Sequence, residues 1–150
     1  MRRKDKEIFD RDVIDSIIRR ASVCRLAMVE GGLPYVLPLC FGYEANVLYF
    51  HSAAEGRKLE ILHKNSKVCF EMDIDQELIC SGDGCTMRYR SVIGTGKASF
   101  LDEPEEKRKA LDLIMRHYHQ EPRAYPEATL GRTAIIKVEI EKVTGKISGY

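Results

Sequence analysis

Residues 23–51 read VCRLAMVEGGLPYVLPLCFGYEANVLYFH, and the class of the fold turns on them. Val23 to Met28 carries Val23, Leu26 and Met28 ahead of Gly31-Gly32, a pair that closes hairpins because glycine accepts the positive φ of tight two-residue turns. Pro34 to Tyr43 and Val47 to His51 are rich in β-branched, aromatic and apolar residues, and Glu44-Ala45-Asn46 between them reads as a turn. They are therefore expected as two more strands, paired with each other. Pro38 has no N–H to give a ladder, which predicts a bulge or a sheet edge there and leaves a gap a ligand could use. Four strands in succession with no helix between them argue against the regular strand–helix alternation of a doubly wound parallel sheet.

Outward from this block the apolar spacing changes. From Asp5 to Arg20, Ile8, Phe9, Val13, Ile14, Ile17 and Ile18 recur at helical intervals and predict one amphipathic helix. Ser52 to Lys64 reads as a second, with Ser52 as N-cap, Glu55 as its capping-box partner and Asn65 as the stop. Lys67 to Met72 and Met87 to Leu101 read as strands around a Ser81-Gly82-Asp83-Gly84 loop, and Gly94 and Gly96 suggest a bulge or bend in the longer one. Asp102 followed by Glu105, with Pro104 in the first turn, predicts a helix to about His119, and Thr133 to Ile140 alternates as a last strand. The expectation is a single domain over residues 1–150: a mainly β, mostly antiparallel barrel of six or so strands with three or so helices.

Composition narrows the function classes. The 24 Lys and Arg residues offset 23 Asp and Glu, so no global field attracts nucleic acid or an acidic membrane surface. The N-terminal residues carry charges of both signs and no apolar core of a signal peptide, and no apolar run approaches the ~20 residues of a spanning helix, so a soluble cytoplasmic protein is expected. Five cysteines, Cys24, Cys40, Cys69, Cys80 and Cys85, are an odd number without framework spacing, which predicts reduced thiols. Cys80 and Cys85 lack a second Cys or His pair, so free thiols rather than zinc are expected there. Gly94-Thr95-Gly96 lacks the third glycine and the helix of a dinucleotide fingerprint. His117 and His119 do not share a helix face, and Tyr118 and Tyr125 read as packing or interface groups.

The segment with most chemistry is His51-Ser52-Ala53-Ala54-Glu55-Gly56-Arg57-Lys58, where a strand gives way to a helix. Unbonded N–H groups and the positive end of the macrodipole make such a junction an anion site, and a bound phosphate would compensate two cations placed near that end. Equally, Ser52 could simply cap the helix while Arg57 and Lys58 face water.

Motifs in order tip this balance: Pro34-Tyr35 through Phe41-Gly42-Tyr43, Leu48-Tyr49-Phe50-His51-Ser52-Ala53, Gly56-Arg57-Lys58, and Tyr89-Arg90-Ser91-Val92-Ile93-Gly94 with Gly96. Together they resemble the pyridoxamine 5'-phosphate oxidase-like FMN-binding split barrels, in the nitroimidazole-resistance (Nim-type) branch, over nearly the whole chain. The resemblance implies FMN, with FAD as the alternative flavin, held by Pro38, Leu39, Cys40 and Phe41 along the ring and by His51, Ser52, Arg57 and Lys58 at the ribityl phosphate. Ser91 matches a further polar contact, supplied across the interface of a homodimer in many members. Oxidases acting on pyridoxamine phosphate carry an Arg-rich C-terminal segment, whereas this chain reads Lys146-Ile147-Ser148-Gly149-Tyr150 there, so a flavin-dependent reductase of nitroaromatic or related small acceptors is the implied activity. His51 is the candidate proton donor or substrate contact, because imidazole titrates near neutral pH; a strand-end histidine bonded to backbone or cofactor would look the same in sequence. A flavin-binding or redox-sensing module without turnover, and a barrel whose anion site serves haem or another phosphate ligand, are the other classes the pattern allows.

Overall fold

The computed structural model describes residues 4–82 and 84–150. A 3-10 turn at Lys4–Lys6 leads into β1 (Glu7–Ile8), α1 (Arg11–Arg20), β2 (Cys24–Glu30), β3 (Leu33–Leu39), β4 (Gly42–Glu44), β5 (Val47–Ala53) and α2 (Arg57–Lys64). There follow β6 (Lys67–Ser81), β7 (Gly84–Leu101), α3 (Pro104–His117), α4 (Glu127–Gly131) and β8 (Thr133–Ser148). Every strand pair is antiparallel, in the order β3-β2-β6-β7-β8-β5-β4, with β1 added to β8. The mainly β expectation holds. Eight strands and four α-helices among the described residues exceed the expected six or so and three or so, because β1, a break after β3 and the short α4 carry too weak a pattern to read.

The sheet is open, with β3 and β4 at its edges, yet it encloses one core. Leu26 and Met28 of β2, Leu48 and Phe50 of β5, Phe70 and Met72 of β6, and Ile136 and Val138 of β8 belong to a single buried cluster. Three strands, β6, β7 and β8, separate β2 from β5 along the sheet, so it must coil for both to reach that cluster. Pro38 sits on the edge strand β3, opposite Arg25, as its missing donor required. No helix among the described residues is long and apolar enough to cross a membrane.

Several local readings are corrected. The first helix begins only at Arg11, because the Asp10 carboxylate accepts the N–H groups of Asp12 (2.9 Å) and Val13 (3.4 Å) and caps it there. Ile8 instead pairs with Gly145 in β1, and Phe9 stands 79% exposed rather than on the apolar face. The segment from Pro34 to Tyr43 is two strands: β3 pairs with β2, and only β4 pairs with β5 across the turn at Ala45-Asn46. Ser52 caps nothing, since β5 runs through it to Ala53 and the N-cap of α2 is Gly56; its capping box with Glu55 falls with it. Asn65 does end that helix. Glu103 rather than Asp102 precedes α3, which ends at His117 with Tyr118 as C-cap.

Strands β6, β7 and β8 outrun their sequence signals, because pairing on both sides of β7 and β8 sustains them past the alternating residues. A register shift does fall between Thr95 and Gly96, but the extra residue is Glu141 on β8, opposite the glycines, rather than in β7 where the bulge or bend was expected. The β6–β7 hairpin closes at Ser81↔Gly84, Asp83 lying outside the described residues. Just before it, Cys80 and Cys85 face each other and form a disulfide, which overturns the reading of both as free thiols. The register of the hairpin brings the two sulfurs together, and spacing alone does not reveal register.

Candidate functional site

The junction of β5 and α2 builds an anion cradle. Gly56, at φ 134°, takes a conformation L side chains rarely adopt, and a Cβ there would meet nothing within 4 Å, so the space in front of the helix is open. The Gly56 carbonyl accepts from Leu59 (2.9 Å) and Glu60 (3.2 Å), and no side chain caps the helix. The first N–H groups of α2 are left to whatever sits in that space.

Behind the opening, the Ser52 side chain points inward at 8% exposure and its hydroxyl accepts from the Lys58 ammonium. On the other flank the Arg57 guanidinium lies over the Tyr35 ring of β3 (4.9 Å) and 3.7 Å from the Glu30 carboxylate of β2. The start of α2 therefore spans from β5 to the β2–β3 hairpin, with Lys58 and the Ser52 hydroxyl on one flank of the helix end and Arg57 on the other. This donor set suits a phosphate monoester.

A second group of expected residues shares one face of the sheet. Directly paired residues point the same way, as do residues two apart. The pairs Pro38↔Arg25, Arg25↔Glu71, Glu71↔Ile93 and Asp73↔Ser91 thus place Pro38 and Ser91 on the face away from the core. Cys40 and Pro38 are exposed, Leu39 is half-buried and Phe41 is fully buried. A groove of about 340 Å³ opens on this face, lined by Val23, Arg25 and Asp73 among others.

In the groove Arg25 bonds both Glu71 (2.9 Å) and Asp73 (2.5 Å). Burial pushes the Glu71 carboxyl up, and the neighbouring Asp73 charge adds to that. Burial would do the same to Asp73, but hydrogen bonds from Gln76 and Arg25 hold it below the usual carboxylate range. One carboxylate of the pair is thus held charged at the expense of the other.

The structure gathers Ser52, Arg57 and Lys58 at the cradle, and Pro38 and Ser91 on the outer face. It does not join His51 to the cradle. On β5 successive side chains alternate, so His51 is exposed on the face opposite Ser52, level with Ile135 of β8. Two participants were missed in the sequence. Tyr35 carries the Arg57 contact, and Tyr118 at the end of α3 accepts from the Phe41 N–H (3.2 Å) and donates to Ser22 O (2.8 Å). The Tyr118 hydroxyl thereby secures the break between β3 and β4, and burial pushes its pKa up to about 12. An aromatic residue just past a helix that lies beside a broken strand is the only signal that could have found it.

Residues 10–147 match the sequence profile of pyridoxamine 5'-phosphate oxidase. The chain belongs to this family. The family implied by the order of the motifs is the one found. Among solved structures, a candidate 5-nitroimidazole antibiotic resistance protein of Bacteroides thetaiotaomicron is 38% identical to this family member, with a TM-score of 0.87 over 94% of this chain and 86% of that one. The FAD and haem binding protein of Mycobacterium smegmatis is 20% identical, with a TM-score of 0.87 over 97% of this chain and 74% of that one. A flavocytochrome of Azotobacter vinelandii is also 20% identical, with a TM-score of 0.81 over 100% of this chain and 72% of that one. At 20% identity the likeness is one of fold. No curated protein matches the chain.

Proposed function

We propose that this family member is a cytoplasmic FMN-dependent oxidoreductase that passes electrons from a reduced donor to a nitroaromatic, 5-nitroimidazole-like or related small acceptor, working as a homodimer with flavin at the interface. The observation that carries the reading is the cradle at the start of α2: an uncapped helix end, an inward Ser52 hydroxyl held by Lys58, and Arg57 beside it. The 38% identity to the Bacteroides protein supports the choice of acceptor. Bound FMN supplies the capacity to take up and release electrons.

The chain's own residues do the rest. Arg57 and Lys58 neutralise the phosphate and Ser52 gives it a hydroxyl contact. Pro38, Leu39, Cys40 and Phe41 lie along the ring, with Pro38 leaving the edge of β3 without a donor at that point. Ser91 contributes from the second protomer. His51, whose side chain is exposed, is the candidate proton donor to the acceptor.

The test is the absorbance spectrum and ligand mass of the protein incubated with FMN, beside an Arg57→Ala/Lys58→Ala variant. The wild type is expected to hold flavin and the variant to lose it; a wild type that binds no flavin sinks the proposal, and a bound mass of FAD corrects the cofactor. His51→Ala is expected to abolish nitroimidazole reduction while sparing FMN. Undiminished turnover in that variant removes His51 from the chemistry.

A further inference from the structure

The Cys80–Cys85 disulfide lies outside the cradle and the groove. The two residues are direct partners across the β6–β7 hairpin, with Cα atoms 4.1 Å apart, the close spacing of a non-hydrogen-bonded antiparallel pair. Both are exposed. Cys85 is eight residues before Ile93 on β7, about 27 Å along the strand from the part of the outer face that carries Pro38 and Ile93.

The bridge is not what holds the hairpin. Ile79↔Thr86, Leu78↔Met87 and Glu77↔Arg88 continue the ladder below it, the Arg88 guanidinium bonds the Glu77 carboxylate, and Ser81↔Gly84 closes the turn above it. Cross-linking ends already held by so short a loop removes little further chain entropy. Reduction would therefore leave the two thiols facing each other, poised to close again.

The remaining cysteines differ. Cys24 is fully buried, and burial pushes its thiol far up, out of reach of exchange. Cys40 and Cys69 are exposed but unpaired.

We propose that Cys80 and Cys85 form a reversible two-electron thiol–disulfide couple that exchanges with external thiols and disulfides at the tip of this hairpin. In reduction, an external thiolate attacks one sulfur; its new S–S bond forms as the Cys80–Cys85 bond breaks, and the other cysteine leaves as a thiolate that takes a proton from water. A second external thiol resolves the mixed disulfide, so that two cysteine thiols are gained and one external disulfide is released. Oxidation is the reverse, with an external disulfide as oxidant.

The experiment is rapid alkylation of the native protein at neutral pH and without denaturant, read by peptide mass, following equilibration with reduced dithiothreitol in one arm and with glutathione buffers of varied ratio in the other. The peptide carrying Cys80 and Cys85 is expected to gain two alkyl groups with dithiothreitol and to lose both on return to oxidised glutathione, while Cys24 stays unlabelled throughout. Cys80→Ser is expected to trap glutathione on Cys85. Full reduction by glutathione identifies monothiols as sufficient, and reduction by dithiothreitol alone identifies a dithiol as the reductant class; either supports the couple. A bridge that opens only after denaturant is added, or two thiols that are alkylated yet never pair in oxidised glutathione, overturns it.

Discussion

Tyr118 shows how much one hydroxyl can organise. It accepts from Phe41 N–H and donates to Ser22 O, so it ties α3 to the gap between β3 and β4 and to the end of the α1–β2 connection. Tyr118→Phe leaves a buried donor unsatisfied and is expected to cost about 1–3 kcal/mol in urea unfolding; an unchanged midpoint would show that water replaces the hydroxyl. Next to it, His117 packs on the Phe41 ring at 4.2 Å and its Nε2 meets Ala21 O at 2.8 Å. Burial lowers its pKa from 6.5, against the opposing pull of that hydrogen bond. The unfolded chain therefore binds this proton more readily than the folded one. The stability His117 contributes is complete above about pH 6.5 and falls as the pH drops through its lowered folded value. Unfolding midpoints between pH 7.5 and 5.5 should fall more steeply for the wild type than for His117→Gln, which keeps a donor for Ala21 O but does not titrate.

The elements were legible where one face of a regular period is buried. In α1, Ile14, Ile17 and Ile18 line the core as their spacing requires, but the start of the helix depends on which acid caps it, and the sequence offers Asp5, Asp10 and Asp12. Asp10→Ala is expected to cost about 1 kcal/mol in thermal or urea unfolding, and Asp12→Ala much less. Strand β5 was read correctly up to His51, whereas Ser52 and Ala53 looked like the prelude to a helix, because serine serves equally as a cap and as an inward strand residue. Pairing with Ala134 and Thr133 of β8 keeps them extended. Gly42, where β4 starts, has a different constraint: a Cβ would stand 2.8 Å from the backbone of Leu113 and Ile114 in α3. Gly42→Ala should push α3 from the sheet and lower stability by about 1–3 kcal/mol, the usual range for overpacking; a neutral result would mean that the helix can slide.

At the scale of the molecule the outer face carries exposed apolar side chains. Val36 is 62% and Ile93 is 50% exposed, on the same side as Pro38 and Ser91. If a second copy covers this face, Val36→Lys/Ile93→Lys should give a monomer in sedimentation with its unfolding midpoint barely lowered and its flavin weakened; an unchanged dimer would place the interface elsewhere. Family and antiparallel architecture could be read from the chain, since hairpin turns, alternation and helical spacing are local patterns and the motifs keep their order. The cradle was half legible: Ser52, Arg57 and Lys58 lie within seven residues and could be grouped from the chain, but that Ser52 is an inward strand residue bonded to Lys58, and that Tyr35 of β3 is the platform for Arg57, depend on how β5 and the β2–β3 hairpin pack. The sequence by itself determined the class of the main elements, extended or helical, because that choice rests on neighbours a few residues apart, though not their ends, where Ile8, Ser52 and Ala53 are held extended by pairing with β8. Only the tertiary structure decided that Cys80 meets Cys85, that His51 and Ser52 face opposite ways and that Tyr118 secures Phe41, because strand register and the docking of helices depend on packing the whole core at once.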